Sequence, residues 1–191
     1  TCPPISGLFF DPSLLLQPTL ASVTEALCLS TFFAESSSNQ AMLFSCPSPA
    51  ASSLPPFLQT LLDTVADVLR PAVSARTHAL LFQAQPGCAR QAIVNLYHPG
   101  EGIAPHVDLP ARYGDGVIGV SLGAGCAMRF LWLPPLPPRS LVVLTGEARY
   151  EWTHGIVARE TDIVQDVGEV MRGTRVSVTF RWLLPGADVV G

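Results

Sequence analysis

Arg175-Val176-Ser177-Val178-Thr179-Phe180-Arg181 decides how the rest of this chain is read. Alternate side chains of a strand point to opposite faces, so Arg175, Ser177, Thr179 and Arg181 share one side. Val176, Val178, Phe180 and the following Trp182 share the other. A face carrying two arginines either meets solvent or lines a pocket that receives an anion. Two further stretches select the pocket. Pro105-His106-Val107-Asp108 places an imidazole and a carboxylate two residues apart, and Trp152-Thr153-His154-Gly155 adds a second imidazole. If the first stretch is extended, His106 and Asp108 converge on one point. Two histidines and one carboxylate can cover one face of a metal ion and leave the other open, which is the ligand set of a non-haem Fe(II) centre.

The anion and the open metal face then explain each other. A small dicarboxylate can chelate iron through a 2-oxo-acid end while its far carboxylate takes a bidentate arginine. Zinc accepts the same three ligands, but a zinc hydrolase leaves the paired arginines without a task. Asn95 and Tyr97 also share a face of their strand. The other histidines read as structural: His98 precedes the turn Pro99-Gly100, and His78 opens a Leu-Leu-Phe run.

Working outward, residues 1–90 read as helical and loop-rich and residues 91–185 as strands. Asp11-Pro12 looks like a helix N-cap with a first-turn proline, and Ser22-Val23-Thr24-Glu25 like a capping box. Ser36 to Ser53 is an uncharged Ser/Ala/Pro stretch broken by Ala41-Met42-Leu43-Phe44. Leu58, Leu61, Leu62, Val65, Val68 and Leu69 recur at helical spacing from Pro56 to Pro71, a core-packing stripe. Strands are expected at Ala92–Tyr97, Val117–Leu122, Ala127–Leu133, Ser140–Leu144, near His154, and at Arg175–Leu183. Turn residues separate them at Pro99-Gly100, Gly114-Asp115-Gly116, Gly123-Ala124-Gly125 and Pro134 to Pro138. Short strands at this spacing suggest a sandwich or jelly roll, and helices preceding the strands argue against a doubly wound sheet.

The chain has 191 residues, 48% of them hydrophobic and 14% charged, with net charge −4. That length suits one domain with its own core. The acidic balance excludes a polycationic phosphate-binding face, and apolar runs are too short for a membrane span. All eleven basic residues are arginine. The five cysteines are widely spaced, which suits free thiols in a reducing cytoplasmic or nuclear compartment. No secretory leader is visible at Thr1, and a start without Met leaves a removed presequence open.

Taken in order, Asn95-Leu96-Tyr97, His106-Val107-Asp108, Val120-Ser121-Leu122-Gly123, Gly146-Glu147-Ala148-Arg149, His154-Gly155-Ile156 and Arg175-x-Ser177-x-Thr179-Phe180-Arg181 resemble the AlkB-type 2-oxoglutarate and Fe(II)-dependent dioxygenases. The resemblance covers Asn95 to Trp182; upstream it extends to the texture of Leu54-Pro55-Pro56-Phe57-Leu58. It implies an α+β, mainly β fold: a double-stranded β-helix (jelly roll) with N-terminal helices packed on its outer face. It implies iron ligands His106, Asp108 and His154, and 2-oxoglutarate contacts from Asn95, Tyr97, Arg175, Ser177 and Arg181. By the same analogy Arg175 pairs with the distal carboxylate and Arg181 lies nearer the chelating end. The implied chemistry couples conversion of 2-oxoglutarate and O₂ to succinate and CO₂ with oxidation of a C–H bond. On an N-methyl group the hydroxylated product sheds formaldehyde.

Base-repairing members carry a second acid about two positions after the metal aspartate; here Leu109 and Pro110 follow, and Asp115 is the next carboxylate. The block Thr145 to Ile156 looks closest to members that act on RNA or whose substrates are unsettled. The expected substrate is an N-methylated base in single-stranded nucleic acid, with Tyr113, Trp132, Tyr150 and Trp152 as candidate stacking platforms. The alternatives are a protein side chain or small molecule, and an inactive binding module that keeps the fold. A monomer is expected.

Overall fold

The computed structural model describes residues 5–45, 53–83, 87–129, 136–164 and 168–187. In chain order it runs β1 (Leu8–Leu15), α1 (Pro18–Cys28) continuing into a π-helical turn at Leu29–Phe33, β2 (Gln40–Ser45), α2 (Pro56–Leu69) and α3 (Ala75–Phe82). There follow β3 (Arg90–Tyr97), β4 (Ile103–His106), β5 (Tyr113–Gly123), β6 (Met128–Arg129), β7 (Ser140–Leu144) and α4 (Gly146–Tyr150). The chain closes with β8 (His154–Ile156), β9 (Thr161–Val164), β10 (Gly168–Met171) and β11 (Arg175–Leu183).

A six-stranded antiparallel sheet in the order β1-β7-β5-β11-β3-β2 forms one wall, a three-stranded sheet β4-β8-β6 forms another, and β9-β10 is a separate hairpin. This is the jelly roll of the sequence reading. The alternation in β11 decides which side of the large sheet is which. Val176, Val178 and Phe180 are fully buried in the main core with Leu58, Leu61, Leu62, Val65 and Leu69 of α2. The α2 stripe therefore packs on the outer face of the sheet, each Leu or Val contributing roughly 1.5–3 kcal/mol by leaving water. The opposite face of the same sheet lines a cavity.

The front of the chain differs from the sequence reading. Asp11-Pro12 does not cap a helix: it lies in β1, an edge strand whose pairing with β7 slips between Phe10 and Leu15. Edges and bulges are where a strand tolerates proline, and Asp11 Oδ1 accepts from Ser13 N at 2.8 Å to hold the irregularity. Ser22 and Glu25 sit inside α1 rather than boxing its start, because Pro18 provides the first turn and Gln17 the N-cap position. Part of the Ser36–Ser53 stretch is β2, whose alternation was hidden by polar flanks; residues 46–52 lie outside the described residues. Residues before 90 thus supply both edge strands of the large sheet.

In the second half, β7 and β11 have the bounds read from the sequence, and β3 starts two residues earlier. Gly114-Asp115-Gly116 is not a connection but part of β5. Gly116, at φ +88°, allows the kink there: the pairing with β11 shifts between Arg181 and Leu183. Of the expected Ala127–Leu133 strand, Met128–Arg129 forms β6 and Ala127 precedes it; residues 130–135, Pro134-Pro135 among them, lie outside the described residues.

Candidate metal and co-substrate site

Cross-strand pairing brings the triad together. β4 pairs with β8 so that His106 lies directly opposite His154, and their ring centroids are 4.5 Å apart. Asp108 follows two residues beyond β4, in the irregular segment that leaves the strand. Ligand atoms of His106, Asp108 and His154 all lie within 4.8 Å of one another, a spacing that one ion can gather. His106 Nδ1 donates to the Ala104 carbonyl at 2.9 Å, which leaves Nε2 as the ring's lone-pair donor, 4.0 Å from Asp108 Oδ1. A histidine oriented through its other nitrogen is the usual arrangement of a metal ligand. Burial pushes His154 down to about 4, only partly opposed by the Asp108 charge, so its imidazole is neutral and able to ligate. The donor set fits a divalent iron.

Asp108 is 9% exposed and is held from two sides. Its Oδ1 accepts from Arg181 Nη1, and its backbone carbonyl accepts from Arg149 Nη1 at 2.8 Å. Arg181 is itself fixed: its Nε donates to Gln91 Oε1 at 2.7 Å, and its guanidinium lies 3.6 Å from the centroid of the Tyr113 ring. Gln91 stands directly opposite Arg181 in the β3–β11 ladder. Gln91 shares the inward face of β3 with Asn95 and Tyr97, and that alternation is the one sequence signal that could have singled it out. Arg149 appeared only as part of a motif. In the structure it is 1% exposed, and it donates also to the carbonyls of Tyr113 and Gly114, each at 3.3 Å.

One cavity of about 450 Å³ takes in the triad together with Asn95, Tyr97, Arg175, Ser177 and Arg181. All eight residues singled out from the sequence therefore face one space. Arg175 is 5% exposed, donates from Nε to Ser121 Oγ at 2.9 Å, and lies 5.3 Å from the Tyr97 ring centroid. Burial pushes the Tyr97 phenol up, against the pull of Arg175, so it remains a neutral hydrogen-bond donor. Asn95 Oδ1 accepts from Gln40 Nε2 at 2.7 Å. Gln40 and Met42 belong to β2 and line the cavity; both fell in a stretch read as loop. Gly119 forms part of the floor, where a Cβ would come 2.7 Å from Val142 Cγ1.

Asp115 does not reach this cavity. Its Oδ1 accepts from Gly116 N at 2.8 Å and Gly146 N at 2.9 Å, and it borders a separate cleft with Thr77 and Thr145. Of the aromatic platforms, Tyr113 is buried under Arg181, Trp152 donates from Nε1 to Glu147 Oε1 at 3.0 Å, and Tyr150 is 39% exposed. Trp132 lies outside the described residues. His78 is structural, with Nε2 at 2.9 Å from the Ala66 carbonyl. Among the described residues no helix is long and apolar enough to cross a membrane.

The family model described as 2OG-Fe(II) oxygenase superfamily matches residues 45–181. The chain is 40% identical over 112 residues to the tRNA (carboxymethyluridine(34)-5-O)-methyltransferase alkbh8 of Xenopus tropicalis, covering 48% of this chain and 18% of that protein. It is 36% identical over 128 residues to the bovine (Bos taurus) alpha-ketoglutarate-dependent dioxygenase alkB homolog 7, mitochondrial, covering 60% of this chain and 55% of that protein. It thus spans less than two thirds of either relative. Among solved structures, a Pseudomonas putida prolyl-4-hydroxylase superposes with a TM-score of 0.55 at 14% identity, covering 94% of each chain; that likeness concerns the fold. With the triad and the arginine-bearing strand facing one cavity, the family match places the chain in the 2OG-Fe(II) oxygenase superfamily, the class of dioxygenase that uses Fe(II), 2-oxoglutarate and O₂, and the relatives it resembles include AlkB homologues.

Proposed function

We propose that this dioxygenase oxidises an N-methyl group on a base of single-stranded nucleic acid, with formaldehyde released from the hydroxylated product. The observation that carries the reading is the size and lining of the cavity. At about 450 Å³ it has room for a co-substrate and one extruded base. Its lining combines apolar walls with the amide of Gln40 and the guanidinium of Arg112. Amides and guanidiniums read base edges. The relative named for tRNA modification supports the same substrate class.

In this reading His106, Asp108 and His154 hold Fe(II), which when bound supplies oxygen activation coupled to decarboxylation of 2-oxoglutarate. Arg175, Tyr97, Ser177 and Asn95 hold the co-substrate, and Arg181 fixes Asp108 beside its chelating end. His106→Ala is expected to abolish stoichiometric Fe(II) or Mn(II) binding, measured by anaerobic calorimetry; retained affinity would refute the ligand assignment. The substrate class is tested by mass spectrometry of methylated RNA, DNA and peptide pools after incubation with enzyme, Fe(II) and 2-oxoglutarate. Loss of 14 mass units per methyl from single-stranded RNA or DNA is the expected result. A second reading, oxidation of a protein side chain or small molecule, draws on the net charge of −4 and on Asp115 facing away from the triad. A gain of 16 mass units on peptides alone would establish it and overturn the first.

A further inference from the structure

The pairing registers of the large sheet place one polar row across five strands. Ser177 of β11 stands opposite Ser121 of β5 and opposite Asn95 of β3, and Asn95 stands opposite Gln40 of β2. The β5–β7 pairing sets Val120 opposite Leu141, and Arg139 N donates to the Ser121 carbonyl at 2.7 Å. Continuing that register by one step puts Ser140 opposite Ser121. The row therefore reads Ser140, Ser121, Ser177, Asn95, Gln40, and every member lines the cavity.

Ser140 differs from the rest of the row. It is 1% exposed, and its Oγ has no hydrogen-bond partner. A buried hydroxyl left without a partner costs stability, and an acceptor bound in the cavity would relieve that cost. Its neighbour in the row, Ser121, receives Arg175 Nε. The arginine thus reaches from β11 to the β5 residue that stands beside Ser140 in the row, while its guanidinium carbon stays 5.3 Å from the Tyr97 ring centroid on β3. Among the described residues no carboxylate lies within 4.0 Å of Arg175. Among the described residues, a buried cation without a carboxylate partner and an orphan hydroxyl, joined through Ser121 in the row, line the same cavity.

We propose that Ser140 Oγ donates a hydrogen bond to the distal carboxylate of 2-oxoglutarate, completing a site that Arg175 begins. A carboxylate has about four acceptor positions; a bidentate guanidinium fills two and leaves room for a hydroxyl donor. This rests on the assignment of Arg175 to the co-substrate made above, and extends it to β7, a strand from which the sequence reading took no contact.

The test measures dissociation constants by anaerobic calorimetry on Mn(II)-loaded protein for two acids. 2-Oxoglutarate has the distal carboxylate; 2-oxobutyrate shares the chelating end and lacks it. Ser140→Ala is expected to weaken 2-oxoglutarate about tenfold, the scale of one hydrogen bond to a charged group, and to leave 2-oxobutyrate unchanged. The melting temperature should hold or rise, because an orphan hydroxyl has been removed. Ser140→Thr, which keeps the donor, should retain most of the affinity. Equal weakening of both acids, or none, overturns the proposal. If Arg175→Ala weakens 2-oxoglutarate while Ser140→Ala does not, the Ser140 contact alone fails. If neither does, the placement of the co-substrate fails with it.

Discussion

Arg149→Met is expected to destabilise the fold by about 2–4 kcal/mol and to weaken divalent-metal binding together with it. Among the described residues Arg149 is the largest fully buried side chain, and no described carboxylate lies within 4.0 Å of it. Burying an unpaired guanidinium is costly. Its donors go to three backbone carbonyls, those of Asp108, Tyr113 and Gly114. These are the two ends of the segment that leaves the metal triad and enters β5. One planar group thereby closes a loop whose ends are six residues apart and sets where Asp108 sits. Methionine fills similar volume and cannot donate, so three buried acceptors lose their partner while the desolvation of the charge is recovered. The net figure is the difference of those terms. For a domain of this size each kcal/mol shifts the melting temperature by roughly 2–4 °C, giving a drop of about 5–15 °C in a thermal scan. Arg149→Lys keeps the charge but not the planar fork, and should recover less than half of the loss. An unchanged melting temperature with unchanged Mn(II) affinity in Arg149→Met would refute the tether.

Arg149 also shows where sequence reading reaches its limit. The alternation in β11 was legible because strand geometry forces it: Val176, Val178 and Phe180 had to meet a core, and Arg175 and Arg181 a pocket. The α2 stripe was legible for the same local reason, with period 3.6 in place of 2. The triad needed one long-range fact, that β4 and β8 pair with His106 opposite His154, and the order of motifs supplied it by resemblance. What stayed hidden had no local signature. β1 carries Asp11-Pro12, which reads as a helix start unless the edge position of the strand is known. β2 is six residues between polar stretches. The contacts of Arg149 with Asp108, of Gln91 with Arg181, and the row ending at Ser140 join residues distant in sequence, and only the sheet order reveals them.

Arg175→Ala should cost 2-oxoglutarate ~2–5 kcal/mol of binding free energy, the range for breaking one partner of a desolvated charge pair. That is roughly thirtyfold to a few thousandfold in the dissociation constant. Arg175 is 5% exposed, its Nε is engaged by Ser121, and no described carboxylate lies within 4.0 Å. A cation so placed is stable only if its surroundings supply acceptors or a ligand supplies the counterion. The effect should be confined to the co-substrate. Arg175 is hydrogen-bonded to Ser121, whereas Arg181 holds Asp108, so Mn(II) affinity in the absence of 2-oxoglutarate should be unchanged. Arg149→Met should show the opposite pattern, because it acts on the Asp108 segment. Arg175→Lys restores charge without the bidentate geometry and should recover part of the affinity. Calorimetry on the two variants, first with metal and then with co-substrate, separates the two buried arginines by what each one holds. An unchanged 2-oxoglutarate affinity in Arg175→Ala would mean that the anion sits elsewhere in the cavity, and Arg112 and Arg181 are the other guanidiniums lining it.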